Sequence, residues 1–129
     1  MKKYCFILFS FILCAACDDI PSSKLIGKWQ MKTVEKNGVI SSVDTVWYNF
    51  QSESIFSVQV YFPQHDTIWF TTGLKTQIDN VITIEIEPGS YDGYIDWDNA
   101  FRSFSINKLN KKNLILLSEE GYTYSFIKF

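Results

Sequence analysis

The chain has 129 residues, a length that suits one domain. Hydrophobic residues make up 47% and aromatic residues 17% of it, a globular composition that favours strands over helices. The formal net charge is −2 and no stretch forms a basic stripe, which argues against a nucleic-acid partner.

The N-terminal segment has the pattern of an export signal. Lys2 and Lys3 precede an uncharged apolar run over residues 4–16, shorter than the roughly 20 residues that a membrane-spanning helix needs. The run ends in Ala15-Ala16-Cys17, which resembles the lipobox of bacterial lipoproteins. The resemblance implies removal of residues 1–16 and acylation of Cys17, with chains such as palmitate anchoring the protein to a membrane. An ordinary secretory signal or an uncleaved anchor is the alternative.

The cysteines support this division of the chain. Cys5, Cys14 and Cys17 all lie in or at the end of the signal, so the remaining domain has no thiol for a disulfide, a metal site or a nucleophile. Residues 17–24 are expected to form the lipidated end and a polar linker, and residues 25–129 a single domain.

The domain alternates apolar and polar residues in short runs that are separated by turn residues. Asn37-Gly38 is a strong hairpin signal because both residues tolerate a positive φ. Eight strands joined by short turns predict an all-β antiparallel meander, and its closure into an up-and-down barrel would remove the exposed edges. A sandwich is the alternative. The predicted strands cover residues 25–36, 46–51, 56–62, 68–74, 82–87, 103–106, 114–117 and 122–129.

A barrel of eight strands is just wide enough for side chains to fill or for one small ligand. Its inward-facing set is therefore interpreted either as the wall of a ligand cavity or as plain core, which a domain of this size needs for stability. The predicted inward residues are Phe56, Val58, Phe70, Leu74, Ile84, Phe104, Tyr124 and Phe126.

Gly27-Lys28-Trp29, at the start of the first strand, resembles the Gly-x-Trp motif that opens lipocalins. With residues 44–51 and 121–129, the domain is similar to the small lipocalin-like lipoproteins of Bacteroidetes. The resemblance implies that Trp29 packs across one end of the barrel and that Gly27 permits a close backbone approach. Lipocalins stack an Arg near the C-terminus on this Trp. Here Lys128 is the candidate for that place, as a weaker stacking partner.

The same resemblance bears on location. Asp18 and Asp19 directly follow Cys17. An Asp at this position favours inner-membrane retention in enterobacterial lipoproteins, whereas acidic residues there resemble the surface-export signal of Bacteroidetes. The family likeness therefore favours a lipid anchor in the outer membrane, with its external face as one candidate location.

Catalytic and metal-binding patterns are weak in this sequence. His65 has no second His and no Cys to share a metal, and no Gly-x-Ser-x-Gly elbow is present. Glu85 and Glu87 lie on the polar face of one strand, as solvated residues do. The sequence therefore predicts neither an enzyme nor a bound metal or cofactor.

Residues 90–99 form a long loop of mixed acidic and aromatic character. Its oxygen-bearing side chains suit calcium, but their spacing does not match an EF-hand, so a calcium site is a minor alternative. Its aromatic residues are interpreted either as ligand contacts, for example to a glycan, or as a cap folded over one barrel end. The oxygen-bearing residues are Asp92, Asp96, Asp98 and Asn99, and the aromatic ones are Tyr91, Tyr94 and Trp97.

Two main functional hypotheses remain open, and hydrolysis through the acids of the 90–99 loop is a minor third. The leading one is a lipid-anchored binding module in the cell envelope, with a small hydrophobic ligand in the barrel or its mouth. The alternative is a structural or interaction lipoprotein with a filled core, which contacts an envelope protein or a glycan through exposed aromatic residues such as Trp47, Trp69 and Trp97.

Overall fold

The computed structural model describes residues 21–89, 91 and 93–129. The predicted signal peptide and the lipidation site Cys17 lie outside the described residues. One helical turn, α1 (Ser22–Leu25), leads into the strands. The strands are β1 (Gly27–Lys36), β2 (Val39–Ser42), β3 (Val46–Phe50), β4 (Ile55–Phe62), β5 (Thr67–Ile78), β6 (Val81–Ile86), β7 (Phe101–Leu109), β8 (Asn113–Ser118) and β9 (Thr123–Lys128).

The strands form one closed antiparallel barrel. They pair in the order β2-β1-β3-β4-β5-β6-β7-β8-β9, and β1 also pairs with β9. On the side away from β9, β1 pairs with β3 along Gly27–Gln30 and with β2 along Thr33–Lys36, so β2 and β3 share one position in the ring. The predicted eight-stranded barrel is confirmed. The sequence pattern missed β2 because all four of its residues are exposed and show no alternation.

The connections fall at two ends of the barrel because neighbouring strands run in opposite directions. The described residues of the connections 37–38, 63–66, 87–100 and 119–122 lie at one end, here named the open end. Residues 51–54, 79–80 and 110–112 lie with α1 at the other end, the closed end. Asn37 and Gly38 have φ values of 54° and 79°, as the predicted two-residue hairpin turn requires.

The interior is a continuous hydrophobic core, and six of the eight predicted inward residues are buried in it: Phe56, Val58, Ile84, Phe104, Tyr124 and Phe126. The prediction is wrong for Phe70 and Leu74, which are 66% and 60% exposed. The register with the neighbouring strands is the reason. Thr71 is opposite the buried Val58, and Lys75 is opposite the buried Ile84, so these β5 positions face the interior instead.

Gly73, between these two positions, explains how β5 fits against its neighbour. A Cβ atom on Gly73 would collide with the backbone carbonyl oxygen of Glu85 on β6. A second irregularity occurs in β1, where the pairing with β9 shifts between Met31 and Thr33. This bulge ends the predicted alternation after Met31, and Val34 lies opposite the buried Tyr124.

Candidate ligand-binding site

The closed end of the barrel is sealed around the Gly-x-Trp motif. Trp29 is fully buried, and its indole Nε1 donates a hydrogen bond of 2.9 Å to the carbonyl oxygen of Leu25. The ammonium of Lys128 lies 4.6 Å from the centroid of the Trp29 ring and donates to the carbonyl oxygen of Ile26 at 2.9 Å. A Cβ atom on Gly27, whose φ is 136°, would collide with the Lys128 side chain. Lys128 therefore occupies the stacking position that the resemblance gives to an Arg.

Aromatic rings fill the centre of the barrel. The ring of Tyr48 lies 5.2 Å from that of Phe56 and 5.0 Å from that of Phe126, measured between centroids. Trp97 of the 87–100 connection is only 4% exposed, and its Nε1 donates to the Tyr48 hydroxyl at 3.1 Å. Its ring stacks on that of Phe56 at 6.4 Å. The connection therefore inserts one aromatic ring into the barrel, as the cap interpretation expects of this residue.

A polar network lies beside Trp97. The buried guanidinium of Arg102 donates to Asp96 at 3.3 Å and to Glu120 at 3.1 Å. The Tyr124 hydroxyl donates to the other carboxylate oxygen of Asp96 at 2.6 Å. Burial is the main cause that raises the pKa of Tyr48 and that of Tyr124 above the ordinary value of a phenol, and Asp96 adds to both shifts. Both phenols therefore stay neutral at physiological pH.

An open cavity of about 440 Å³ lies at the open end, between the 93–96 segment, strands β1 and β3, and Val43, which follows β2. Its walls are mostly apolar, and the lining residues with polar side-chain groups are Asp96, whose side chain is 42% exposed, Tyr48 and Tyr94. This combination of apolar walls with a few polar groups is typical of small-molecule sites. The lining residues are Met31, Val34, Val43, Val46, Tyr48, Gly93, Tyr94, Ile95 and Asp96.

Tyr94 separates this cavity from a smaller one of about 300 Å³. Its ring stacks on that of Trp69 with 4.6 Å between centroids and 1° between planes. Phe62 and His65 line the smaller cavity on the far side of Tyr94. Tyr94 is thus the one residue of the predicted ligand-contact set that lines the larger cavity.

The other predicted ligand-contact residues lie elsewhere. Tyr91 and Trp97 pack against the core, and the six buried inward residues belong to it. The sequence analysis predicted a strand over residues 46–51 but did not identify Val46 and Tyr48 as cavity residues, and it missed Met31, Val34 and Val43. Only the β1 bulge and the fold of the 93–96 segment bring these residues together, and neither feature can be recognised from a local pattern in the sequence.

Of the three exposed aromatic residues expected under the alternative hypothesis, Trp97 is a wrong prediction. Trp97 is buried, and Trp47 and Trp69 are half-buried. The large apolar side chains that are exposed on the described barrel include instead a row along the outer face of β5, formed by Ile68, Phe70, Leu74 and Ile78.

The remaining chemical candidates have ordinary surroundings. His65 is exposed in the turn between β4 and β5, and Glu85 is exposed on the outer face. Of the calcium candidates, Asp92 lies outside the described residues, and the Asn99 side chain accepts a hydrogen bond from the backbone of Phe101. Among the described residues, no group of three or more His, Cys, Asp or Glu could hold a metal ion.

The described residues thus define a small closed barrel with a packed centre, a cavity at its open end and, at its closed end, a second cavity of about 470 Å³ outside the Trp29 seal, beside Lys24, Lys111 and Lys128. Residues 11–129 match the model of the lipocalin-like domain family. The chain therefore belongs to this family. A comparison with curated protein sequences finds no significant match.

Two solved structures resemble the barrel. A lipocalin-like protein from Bacteroides uniformis ATCC 8492 superposes with a TM-score of 0.74 and is 28% identical, over 82% of this chain and 99% of that chain. An uncharacterized protein from Bacteroides eggerthii DSM 20697 superposes with a TM-score of 0.70 and is 24% identical, over 81% of this chain and 98% of that chain. The predicted resemblance to lipocalin-like proteins of Bacteroidetes is confirmed.

Proposed function

We propose that this protein is a lipid-anchored binding module of the cell envelope, which holds a small hydrophobic ligand in the cavity at the open end of its barrel. The cavity itself is the observation that carries the proposal. Its volume of about 440 Å³ lies within the roughly 300–1,000 Å³ typical of small-molecule sites. The module has no catalytic step, and its ligand is held by packing against apolar walls.

The packed centre limits where a ligand can lie. Trp97 is in ring contact with both Phe56 and Phe104, and it closes the space between the barrel centre and the open end. A ligand therefore occupies the mouth of the barrel, against Met31 and the three lining valines.

The anchor is supported by the lipobox resemblance of Ala15-Ala16-Cys17. No helix among the described residues is long and apolar enough to cross a bilayer. Metabolic labelling with palmitate tests the anchor. The wild type and Cys14→Ser should take up label and Cys17→Ser should not, and label retained in Cys17→Ser would contradict the proposal.

The proposed location is the outer membrane, with its external face as a candidate. Protease treatment of intact cells tests the external face directly. Loss of the protein from intact cells would support surface display, whereas a protein that is cut only after cell lysis would exclude it.

Native mass spectrometry tests the binding function. The chain from residue 17, with Cys17→Ser so that no acyl chain competes, should be exported in its own host behind an ordinary cleavable secretory signal and purified without organic solvent. A discrete added mass that disappears on solvent extraction would support the proposal. A bare mass that stays bare after incubation with apolar compounds would contradict it and favour the interaction protein with a filled core.

A pair of matched variants locates the ligand. Val43 lines the cavity, whereas Val39 is 67% exposed on the same short hairpin. Val43→Phe should fill the cavity and remove the added mass, and Val39→Phe should keep it. Equal retention in both variants would place the ligand outside the open-end cavity.

A further inference from the structure

The open-end cavity contains one side chain that is charged at neutral pH among its described lining residues, and this is Asp96. Its carboxylate already accepts hydrogen bonds from Arg102 and Tyr124. Because its side chain is 42% exposed, the remaining acceptor positions on the two oxygens are accessible to a ligand.

Tyr48 also lines the cavity, but it is only 1% exposed and its hydroxyl oxygen already accepts the Trp97 N–H. Its part in the site is therefore to hold Trp97, the neighbour of Asp96. Tyr94, which is 45% exposed, adds an aromatic ring to the wall. A carboxylate beside an accessible aromatic ring suits an ammonium group, which donates hydrogen bonds and is attracted to ring faces.

The connections around the cavity carry negative charge, the same sign as Asp96. The open-end stretches 37–38, 63–66, 87–100 and 119–122 contain no Lys or Arg. Two cations near this end are already engaged: Arg102 bonds Asp96 and Glu120, and Lys36 donates to the Glu120 carbonyl oxygen at 2.9 Å. The described acids of these stretches are Asp66, Glu87, Asp96, Asp98, Glu119 and Glu120.

This charge distribution selects against anionic ligands. A fatty-acid carboxylate in the cavity would lie beside the like charge of Asp96, with no free cation among the lining residues to pair with it. The free energy lost when the carboxylate leaves water would therefore not be recovered. A cation is attracted towards a cleft lined by negative charge, which also raises its rate of association.

We propose that the ligand of the open-end cavity is a small apolar amine, whose ammonium group binds the Asp96 carboxylate while its hydrocarbon part packs against Met31, Val34 and Val43. This inference rests on the proposed binding function, because it specifies the ligand class of the same cavity.

Three compounds with the same chain and different head groups test the inference: decylamine, decanol and decanoate. Their affinities for the chain from residue 17 with Cys17→Ser can be measured by calorimetry at about pH 7, below the micellar range. Decylamine should bind at least about tenfold more tightly than decanol, the effect of one charge-assisted hydrogen bond, and decanoate should bind least. Added salt should weaken decylamine binding and leave decanol binding unchanged.

The outcomes separate the two proposals. Binding of none of the three compounds would overturn the proposed binding function. Binding in which decanol or decanoate equals or exceeds decylamine would leave the binding function in place and overturn the amine preference.

Matched variants test the role of Asp96. Asp96→Asn removes the cavity carboxylate, and Asp98→Asn removes the same charge from an exposed position on the same connection. Asp96→Asn should reduce the preference for decylamine over decanol by about tenfold, whereas Asp98→Asn should change it less than about twofold. Equal effects would show that only the general acidity of this end matters and would overturn the Asp96 contact. If Asp96→Asn does not fold, the wild-type ranking still decides the amine preference.

Discussion

The hydrogen bond between Trp97 and Tyr48 holds the 87–100 connection in the barrel, and its removal is a direct test of the fold. Both side chains are almost fully buried, and the indole Nε1 to hydroxyl distance is 3.1 Å. Tyr48→Phe removes the acceptor and keeps the ring, so the ring contacts with Phe56 and Phe126 remain. The indole N–H is then left buried without a partner.

An unsatisfied buried donor costs about 1–3 kcal/mol, which is a large fraction of the roughly 5–15 kcal/mol that stabilises a typical domain. Urea denaturation followed by circular dichroism should show the midpoint falling with an unchanged slope, as a pure change in stability requires. Tyr61→Phe is the matched control, because it removes the same hydroxyl from an exposed hydrogen bond to Asp66 at 3.0 Å. The control should lose less than about 0.5 kcal/mol.

A double-mutant cycle separates the bond from other effects of the substitution. In a Trp97→Phe background there is no indole N–H to lose its acceptor. The loss in free energy of unfolding caused by Tyr48→Phe should therefore be about 1–2 kcal/mol smaller than in the wild type. A coupling energy near zero, or a loss in Tyr48→Phe no larger than in the Tyr61 control, would refute the view that this bond holds the connection in place.

Three further predictions concern titration and side-chain placement. Because burial raises the pKa of both Tyr48 and Tyr124, each keeps its proton in the folded chain at a pH where the unfolded chain, with a phenol pKa near 10, has lost it. The free energy of unfolding therefore keeps its full value below about pH 10 and falls above it by about 1.4 kcal/mol per pH unit for each tyrosine. Urea titrations in which the free energy of unfolding stays constant above about pH 10 would contradict this. Lys75→Met should raise the free energy of unfolding at neutral pH, because the Lys75 ammonium is buried with no hydrogen-bond partner among the described residues and burial lowers its pKa. The cost of burying the charged Lys75 is full below its folded-state pKa and disappears as the pH rises towards about 10.4. The gain in stability of Lys75→Met over the wild type should therefore shrink over that pH range. A gain that stays constant with pH would disagree with a buried ammonium. Because Phe70 is exposed and Phe56 is buried, Phe70→Ala should change the free energy of unfolding by less than about 0.5 kcal/mol and Phe56→Ala should lower it by about 3–5 kcal/mol. Equal losses in chemical denaturation would mean that both rings lie in the interior.

Local periodicity was enough to predict most of the barrel. On β6 the residues Ile82, Ile84 and Ile86 alternate with polar residues, and all three are buried. The Asn37-Gly38 turn needs only two residues that accept a positive φ. Both features depend on residues that are adjacent along the chain, so a single sequence contains the information.

The parity of β5 depends on other strands instead. Apolar residues occur at Ile68 and Phe70 but also at Trp69, so neither face is marked as the inner one by hydrophobicity alone. Lysine is rarely buried, so the presence of Lys75 on the inner face of β5 makes that face look like the outer one in the sequence. The pairing with β4 and β6 decides the orientation, and such pairing cannot be read from one strand.

The candidate site was harder to predict than the fold because it is built around one inserted ring. Trp97 is buried while its neighbour Asp96 reaches the cavity, so the position of the carboxylate depends on the anchoring of the indole. The hydroxyl of Tyr48 holds that indole, and Tyr48 is also one of the residues that line the cavity. Tyr48→Phe should therefore weaken amine binding as well as stability. If stability fell and affinity did not, the cavity would keep its shape without the Trp97 bond, and Asp96 would be positioned by Arg102 and Tyr124 alone.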